Sequence, residues 1–458
     1  MIENDAFKLL LINLFHLNPD DIANILCTTF NKMMVLVVTL TDKHQVCPHC
    51  GFTAPKIKEY VTKEITHSAL TTQKCIIKYR ARRYKCSCCG KTYYEFNPFV
   101  FKSQKISILT VHNILKDLKD FNETFTSVAR RYHVSPTSVS TIFDKHVDIG
   151  RNPLPEIINF DEVYAFKSEK SKYVCVLLDF KKQIPVDVLP NRKKEYLLNY
   201  FQKIPLEERK KVKYACSDMY EVYRDVVHKV FPSCCMLLDY FHLSQDFHRK
   251  MNEVRIKVMK GYKDDKASDE YYLLKKFNWL LFKNPEDEDK YGRLFDVERE
   301  RKYNSHFKSY MNYYDLRRKL LEINNDLTIC YSLKLELVDF YSKSTIDNAQ
   351  VNLEHLIRSC IDTNIEEMIA FSNNLINWKQ EIINSFTIVG TEYKVEADKG
   401  QVVVCNKKVN NAIIENRNKI IKCIKNNANG YTNWSRFRNR VMYVLDPNTT
   451  FSLEPREK

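Results

Sequence analysis

Glycine is scarce in this chain, 8 of 458 residues, and the few present are scattered. No Gly-x-Gly-x-x-Gly or Walker-type loop can be written anywhere, which excludes enzymes that cradle a nucleotide on glycine-rich backbone. Long apolar runs are missing too. The longest, residues 9–17 and 33–40, are too short to span a bilayer, and no basic segment with a small-residue cleavage site precedes them. Membrane roles drop out, and a cytoplasmic, nucleoid-associated location is expected. A disulfide framework is also absent: the 15 cysteines are odd in number and sit in apolar segments such as Tyr173-Val174-Cys175-Val176, as reduced thiols of a cytosolic chain do. Acidic charge falls short of basic, 57 Asp plus Glu against 72 Lys plus Arg, so the net charge is +15. That excess favours polyanionic partners through counterion release. A hydrophobic content of 44% is enough to bury a large core, divided on length into about two to four domains.

Two cysteine pairs stand out. Residues 33–40 read as a strand leading to Cys47-Pro48-His49-Cys50-Gly51, and residues 76–84 as a basic strand leading to Cys86-Ser87-Cys88-Cys89-Gly90-Lys91. Each pair is Cys-x-x-Cys followed by Gly, a turn whose amides can point at thiolate sulfur. Cys47, Cys50, Cys86 and Cys89 together make the ligand set of a closed, structural Zn²⁺ site. The gap between the pairs is longer than in compact zinc motifs, so an intervening hairpin must bring them together. Buried or redox thiols are the alternative. Cys88, His49, His67 and Cys75 are expected bystanders, with Cys88 able to replace a neighbour.

Residues 125–146 read as helix, tight turn, helix. Val128 and Ala129 face inward, Val134 marks the turn, Ser135 caps the second helix with Pro136 at its first position, and Val139 and Ile142 anchor it. Thr137, Ser138 and Thr141 are then left to face a DNA groove.

After Arg151-Asn152-Pro153-Leu154-Pro155, strands are expected at 157–162, 173–178 and 184–189, a helix at 194–202, a strand at 212–218, a helix at 220–230 and a strand at 235–242. Three strands, helix, strand, helix, strand is the order of a ribonuclease H-like α/β sheet. Residues from about 243 to 401, rich in Lys, Glu, Asn, Leu and Tyr, read as an all-helical insertion. The closing helix returns at residues 410–422, where Ile413, Ile414, Ile420, Ile421 and Ile424 share one stripe and Glu415, Lys419 and Lys422 the opposite one. The domains expected are 1–100 (zinc-binding), 101–150 (helix-turn-helix), 151–243 (first part of the catalytic domain), 244–404 (insertion) and 405–458 (closing helix and basic C-terminal segment).

Asp161 and Asp218 each sit at the polar end of an apolar strand, and Glu415 comes from the closing helix. Three carboxylates converging at one sheet edge are enough to hold two Mg²⁺ ions, or Mn²⁺, about 4 Å apart for phosphoryl transfer. Glu162 should point to the other side of its strand from Asp161. Asp239 is the rival for the second carboxylate, and with His242 it forms a pair placed behind the metals or against the substrate. Arg82, Arg83, Lys419, Lys422, Arg436, Arg438 and Arg440 are expected to contact DNA, with Trp434 either stacked on a base or in the core.

The motifs, in order, are Cys-Pro-x-Cys-Gly, Arg82-Arg83-Tyr84-x-Cys86-x-x-Cys89, the helix pair, Phe160-Asp161-Glu162, Ser217-Asp218-Met219-x-x-x-Tyr223, Phe231-Pro232, Asp239-x-Phe241-His242, and Glu415 to Arg440 with Gly430-Tyr431. This order resembles the ISL-three family of bacterial insertion-sequence transposases over nearly the whole chain. The resemblance implies a DDE transposase, with Asp161, Asp218 and Glu415 as its triad, that binds terminal inverted repeats as a homodimer or higher assembly and joins cut ends to target DNA using Mg²⁺. Two positions depart from the family pattern: Asn416 stands where Gly is common, and Asn426 weakens a basic pair before Gly430-Tyr431. They leave open an inactive zinc-ribbon and helix-turn-helix regulator derived from such a transposase. A nuclease of the same fold, cutting without joining, is the other alternative.

Overall fold

The computed structural model describes residues 2–43, 45–53, 55–70, 72–101, 104–166, 171–395 and 402–456. Helix α1 (Ile2–Leu14) packs on a sheet of β1 (Ile22–Phe30), β2 (Met33–Leu40), β3 (Lys56–Thr66), β4 (Cys75–Lys85) and β5 (Thr92–Tyr94). The path is β1-β2-β4-β3, with β5 on β4. Leu11, Ile12 and Phe15 close this core against Leu36, Ile77 and Tyr79. The hairpin needed between the cysteine pairs is β3–β4: its register pairs Lys56 with Lys85, so the chain just before β3 and just after β4 lies side by side.

Helices α2 (Ile108–Asp117), α3 (Phe125–Arg131) and α4 (Pro136–His146) follow. Short polar side chains start the last two. Thr124 and Ser127 form a capping box on α3, and Ser135 caps α4 ahead of Pro136, satisfying amides that have no partner within the helix. Val128 and Ala129 meet Val139, Ile142 and Phe143 in the crossing.

The second sheet comprises β6 (Ile157–Val163), β7 (Val174–Asp179), β8 (Pro185–Leu189), β9 (Tyr214–Ser217) and β10 (Cys235–Leu238), with α5 (Lys194–Gln202), α6 (Leu206–Arg209) and α7 (Glu221–Val230) in the connections. Its order is β10-β9-β6-β7-β8, parallel through the first three strands and antiparallel beyond. Strand residues alternate between two cores. Cys175, Leu177 and Leu189 pack with Leu197, Phe201 and Tyr223, while Val174, Val176, Leu178 and Val188 pack with Ile414, Ile421, Ile424 and Phe437. Burial on both faces explains why these strands are almost uniformly apolar in sequence.

Two expectations are corrected. The strand expected through residue 242 stops at Leu238; Asp239 is the N-cap of α8 (Tyr240–Lys260). Aromatic Tyr240 and Phe241 favour strands locally, but Leu243, Phe247, Met251 and Val254 recur at helical spacing and are all buried, which decides the conformation. The insertion is not all-helical. Besides α9 (Asp269–Lys276), α10 (Tyr313–Glu322), α11 (Asn325–Lys343), α12 (Ala349–Asp362), α13 (Glu366–Asn377) and α14 (Lys379–Asn384), it carries the hairpins β11–β12 (Glu288–Asp289 and Gly292–Arg293) and β13–β14 (Lys302–Asn304 and Ser309–Met311). A third hairpin, β15 (Ile388–Val395) with β16 (Val402–Lys408), leads back to the sheet. The helices share one core with α8.

The last elements are α15 (Ala412–Asn427) and α16 (Trp434–Leu445). Both enter the core formed by α2, α3, α4 and the β7–β8 side of the sheet, so the last two helices close over elements from the first half of the chain. Among the described residues no helix is long and apolar enough to cross a membrane.

Candidate active site and metal centres

Strand alternation sends Asp161 and Glu162 to opposite sides of β6. Asp161 lies within the strand, not at its end: its Oδ1 accepts the Glu162 amide and its Oδ2 accepts Nδ2 of Asn418 on α15, both at 2.8 Å. Glu162 faces α7, paired with Arg192 and accepting the Tyr223 hydroxyl at 3.2 Å. Asp218 directly follows β9 and accepts the Tyr220 amide at 3.2 Å. Glu415 lies in the first turn of α15, and Asp239 starts α8 with His242 one turn further on.

Asparagines fix α15 against the sheet. Asn159 donates to Asn411 Oδ1 at 2.7 Å, Asn411 Nδ2 reaches the Phe160 carbonyl at 3.3 Å, and the Asn411 amide donates to Asp239 Oδ1 at 3.2 Å. Sequence reasoning passed over Asn159, Asn411 and Asn418. The available signal was Asn418, an amide three residues after Glu415 that interrupts the isoleucine stripe.

These carboxylates share one electrostatic environment. Burial pushes the Asp161 carboxyl up to about 7, and the charges of Asp218 and Glu162 add to the effect. Asp218 and Asp239 are also raised by burial, Asp239 further by Glu415, while His242 opposes the rise at Asp161, Asp218 and Asp239. Among the described residues no lysine or arginine makes an ion pair with Asp161, Asp218, Asp239 or Glu415. Asp239 Oδ2 and His242 Nε2 are buried without a hydrogen-bond partner. Hard oxygen donors with uncompensated charge fit a divalent cation. A cavity of about 400 Å³ opens beside Asp218 and His242, edged by Arg192 and Arg249.

The four cysteines come together as expected from their spacing. Cys47 Sγ lies 3.7 Å from Cys89 Sγ, Cys50 Sγ lies 3.5 Å from Cys86 Sγ, and all four sulfurs lie within 4.8 Å of one another. Four sulfurs about 2.3 Å from a tetrahedral Zn²⁺ are separated by roughly 3.8 Å, so the cluster could hold that ion. Gly51 and Gly90 adopt φ of 74° and 70°, a left-handed turn that glycine enters without strain. The Cys89 amide donates to Cys86 Sγ at 3.4 Å and draws that thiol down to about 7. Cys88 is exposed and His67 is buried elsewhere, bonded to Ser107 and the Phe15 carbonyl.

On α4, Thr137 and Thr141 are exposed and Ser138 is half-buried. Lys419 and Lys422 are exposed along α15. Four arginines expected on DNA are corrected, because the structure uses them internally. Arg82 is half-buried, paired with Glu95 at 2.9 Å and bonded to the Leu40 carbonyl. Arg436 grips Asp144 of α4 through two bonds of 3.0 and 2.6 Å. Arg438 pairs with Asp187 and the Ile149 carbonyl. Arg440 is 1% exposed and donates to the carbonyls of Asp120 and Glu123. On α16 the arginines interleaved with aromatics read as a basic DNA-contacting segment, but Arg436 and Arg440 are taken up by α4 and the α2–α3 connection and Arg438 by β8. Arg83 remains half-exposed beside Glu59 at 2.6 Å. Trp434 packs edge-on against Phe166, the core alternative for this residue.

Comparison with known proteins places the chain in a family. The profile of the ISL-three transposase family, described as a transposase, matches residues 158–397, just over half of the chain; Glu415 lies beyond the end of the match. The transposase for insertion sequence element IS1001 of Bordetella parapertussis is 20% identical over 411 residues, covering 89% of this chain and 90% of its own length. The chain belongs to the ISL-three family of transposases.

Proposed function

We propose that this transposase binds the terminal inverted repeats of its element and carries out Mg²⁺-dependent strand cleavage and strand transfer, with Asp161, Asp218 and Glu415 as a DDE triad on a ribonuclease H-like sheet. The observation that carries the reading is the closeness of Asp161 on β6 to Asp218 at the end of β9, where burial raises both carboxyls and the Asp218 charge raises Asp161 further, while Glu415, in the first turn of α15, stands with Asp239 and His242. When bound, Mg²⁺ would supply neutralisation of charge on the attacking and leaving oxygens. Asp161 and Asp218 present the oxygens for it, and Asn418 holds the Asp161 carboxylate in place at 2.8 Å. Arg192 and Arg249, at the rim of the adjoining cavity, orient the phosphodiester.

The remaining surfaces follow the same reading. The Cys47, Cys50, Cys86, Cys89 cluster holds structural Zn²⁺ in a ribbon-like N-terminal domain. Helices α3 and α4 act as a helix-turn-helix, with Thr137, Ser138 and Thr141 toward a DNA groove. Lys419, Lys422 and Arg83 contact phosphates. Asn416 is exposed on α15, where it accepts a bond from Lys419 at 3.3 Å, so its departure from the family pattern leaves the carboxylates untouched. This favours an active enzyme over a regulator.

The test is incubation of the purified protein and Asp161→Ala with Mg²⁺, a plasmid target and labelled duplexes carrying the flanking ends of the element. Covalent joining by the wild type alone is the expected result. Specific end binding without cleavage would support the regulator, and cleavage without joining the nuclease.

A further inference from the structure

An aspartate at a helix N-cap ordinarily turns its carboxylate onto the free amides of the first turn. Asp239 caps α8 without a cap bond of normal geometry, the Phe241 amide lying near it only as a weak electrostatic contact. Its Oδ1 is drawn across to the amide of Asn411, the N-cap residue of α15, at 3.2 Å. Its Oδ2 has no hydrogen-bond partner, although the side chain is only 4% exposed. His242 lies on the same side of the first turn of α8, with Nε2 3.8 Å from that oxygen and likewise buried without a partner. Glu415, in the first turn of α15, brings a carboxylate oxygen within 4.8 Å of both. The Asp239–Asn411 bond thus pins together the starts of the two helices that deliver His242 and Glu415.

A separation of 3.8 Å is too long for a hydrogen bond, but it fits two ligand atoms each about 2.1 Å from one shared ion. A buried carboxylate oxygen and a buried imidazole nitrogen, both unsatisfied and facing each other, are unfavourable unless a third group lies between them. Among the described residues no protein group fills that role. We infer that Asp239, His242 and Glu415 form a divalent-cation site of mixed nitrogen and oxygen character, in which Glu415 is the residue shared with the Asp161 and Asp218 carboxylates. The sharing rests on the triad proposed above; the three-ligand site itself does not. One imidazole among the donors favours a first-row transition ion over Mg²⁺ and Ca²⁺, and Mn²⁺, the weakest binder of that series, is its stringent and paramagnetic probe.

The test is electron spin-echo spectroscopy of the untagged, zinc-replete full chain with substoichiometric Mn²⁺ and no DNA. Nitrogen modulation from one coordinated imidazole is expected in the wild type and in Asp161→Asn. It should vanish in His242→Gln, and at least a tenfold excess of Mg²⁺ should be needed to displace the ion. Asp239→Asn, which preserves volume, should weaken Mn²⁺ binding at least tenfold, and this variant keeps the test intact should His242→Gln fail to fold. Failure of the wild type to bind Mn²⁺, purely oxygen-coordinated Mn²⁺ in the wild type, or modulation persisting in folded His242→Gln would each overturn the site. DNA joining is scored separately. Joining with oxygen-only Mn²⁺ would remove this inference and leave the transposition chemistry standing; imidazole-bound Mn²⁺ without joining would do the reverse.

Discussion

Asn418 donates to Asp161 across the junction of α15 and β6 at 2.8 Å, so the closing helix holds the central carboxylate by an amide one turn beyond Glu415. With the Glu162 amide on the other oxygen, the bond fixes the orientation of the Asp161 carboxylate. Partners of this kind, standing behind a metal ligand, typically alter metal affinity or activity by about 10–100-fold. Asn418→Ala is therefore expected to raise the Mg²⁺ concentration for half-maximal joining by that factor. A Mg²⁺ titration of strand transfer checks it, and an unchanged midpoint would reduce the contact to packing.

The cysteine cluster gives a second prediction. Cys47→Ser, Cys50→Ser, Cys86→Ser and Cys89→Ser should each lose the zinc measured by atomic absorption and unfold the N-terminal sheet, because structural Zn²⁺ contributes on the order of 10 kcal/mol to folding such sites. Cys88→Ser should retain one zinc per chain, since Cys88 is exposed and outside the cluster. Retention of zinc by Cys86→Ser would mean that the ligand set is wrong.

Arginines and lysines near the C-terminus should separate into two behaviours. Arg440→Ala removes a buried guanidinium and strands the carbonyls of Asp120 and Glu123, at a cost of about 2–5 kcal/mol in stability. Lys422→Ala, at an exposed position, should leave thermal unfolding unchanged. It should lower the slope of log affinity for DNA against log salt by about 1. Calorimetry and salt-dependent binding on both variants decide the matter; a Lys422→Ala slope equal to wild type would remove α15 from the DNA interface.

Lys334, buried in the insertion and bonded to the Lys283 carbonyl, has its amine pushed down to about 8, mainly by burial. In the unfolded chain it titrates near 10.4. Between these values the unfolded state binds more protons, so stability rises with pH from about 8 to 10.4, and the penalty is fully present below 8. The span corresponds to about 3 kcal/mol. In Lys334→Met this contribution should be missing, so denaturant midpoints of variant and wild type should converge by that amount between pH 7.5 and 10.5. A constant difference would show that the amine is not desolvated.

Local chemistry was legible where a residue acts through its immediate neighbours. Ser135 and Pro136 announced the start of α4, and the structure has them at the cap and first position. The alternating and continuous apolar runs gave β6 to β8 and α5 because both sheet faces are buried. Tyr240-Phe241-His242 was misread as strand because aromatic β-propensity is weak against the helical spacing of the apolar residues that follow. Arg436, Arg438 and Arg440 were misread because charge spacing along a helix does not reveal what that helix packs against.

Sequence by itself determined the cysteine pairs, the caps, the strand and helix order of the second sheet and the identity of the acidic side chains, since each is set by covalent order and interactions spanning a few residues. Tertiary structure alone decided that Asp239 and His242 stand with Glu415, that Asn418 supports Asp161, and that the α16 arginines face inward. Those relationships join positions more than 150 residues apart, and only the packing of α15 and α16 onto the sheet brings them within bonding distance.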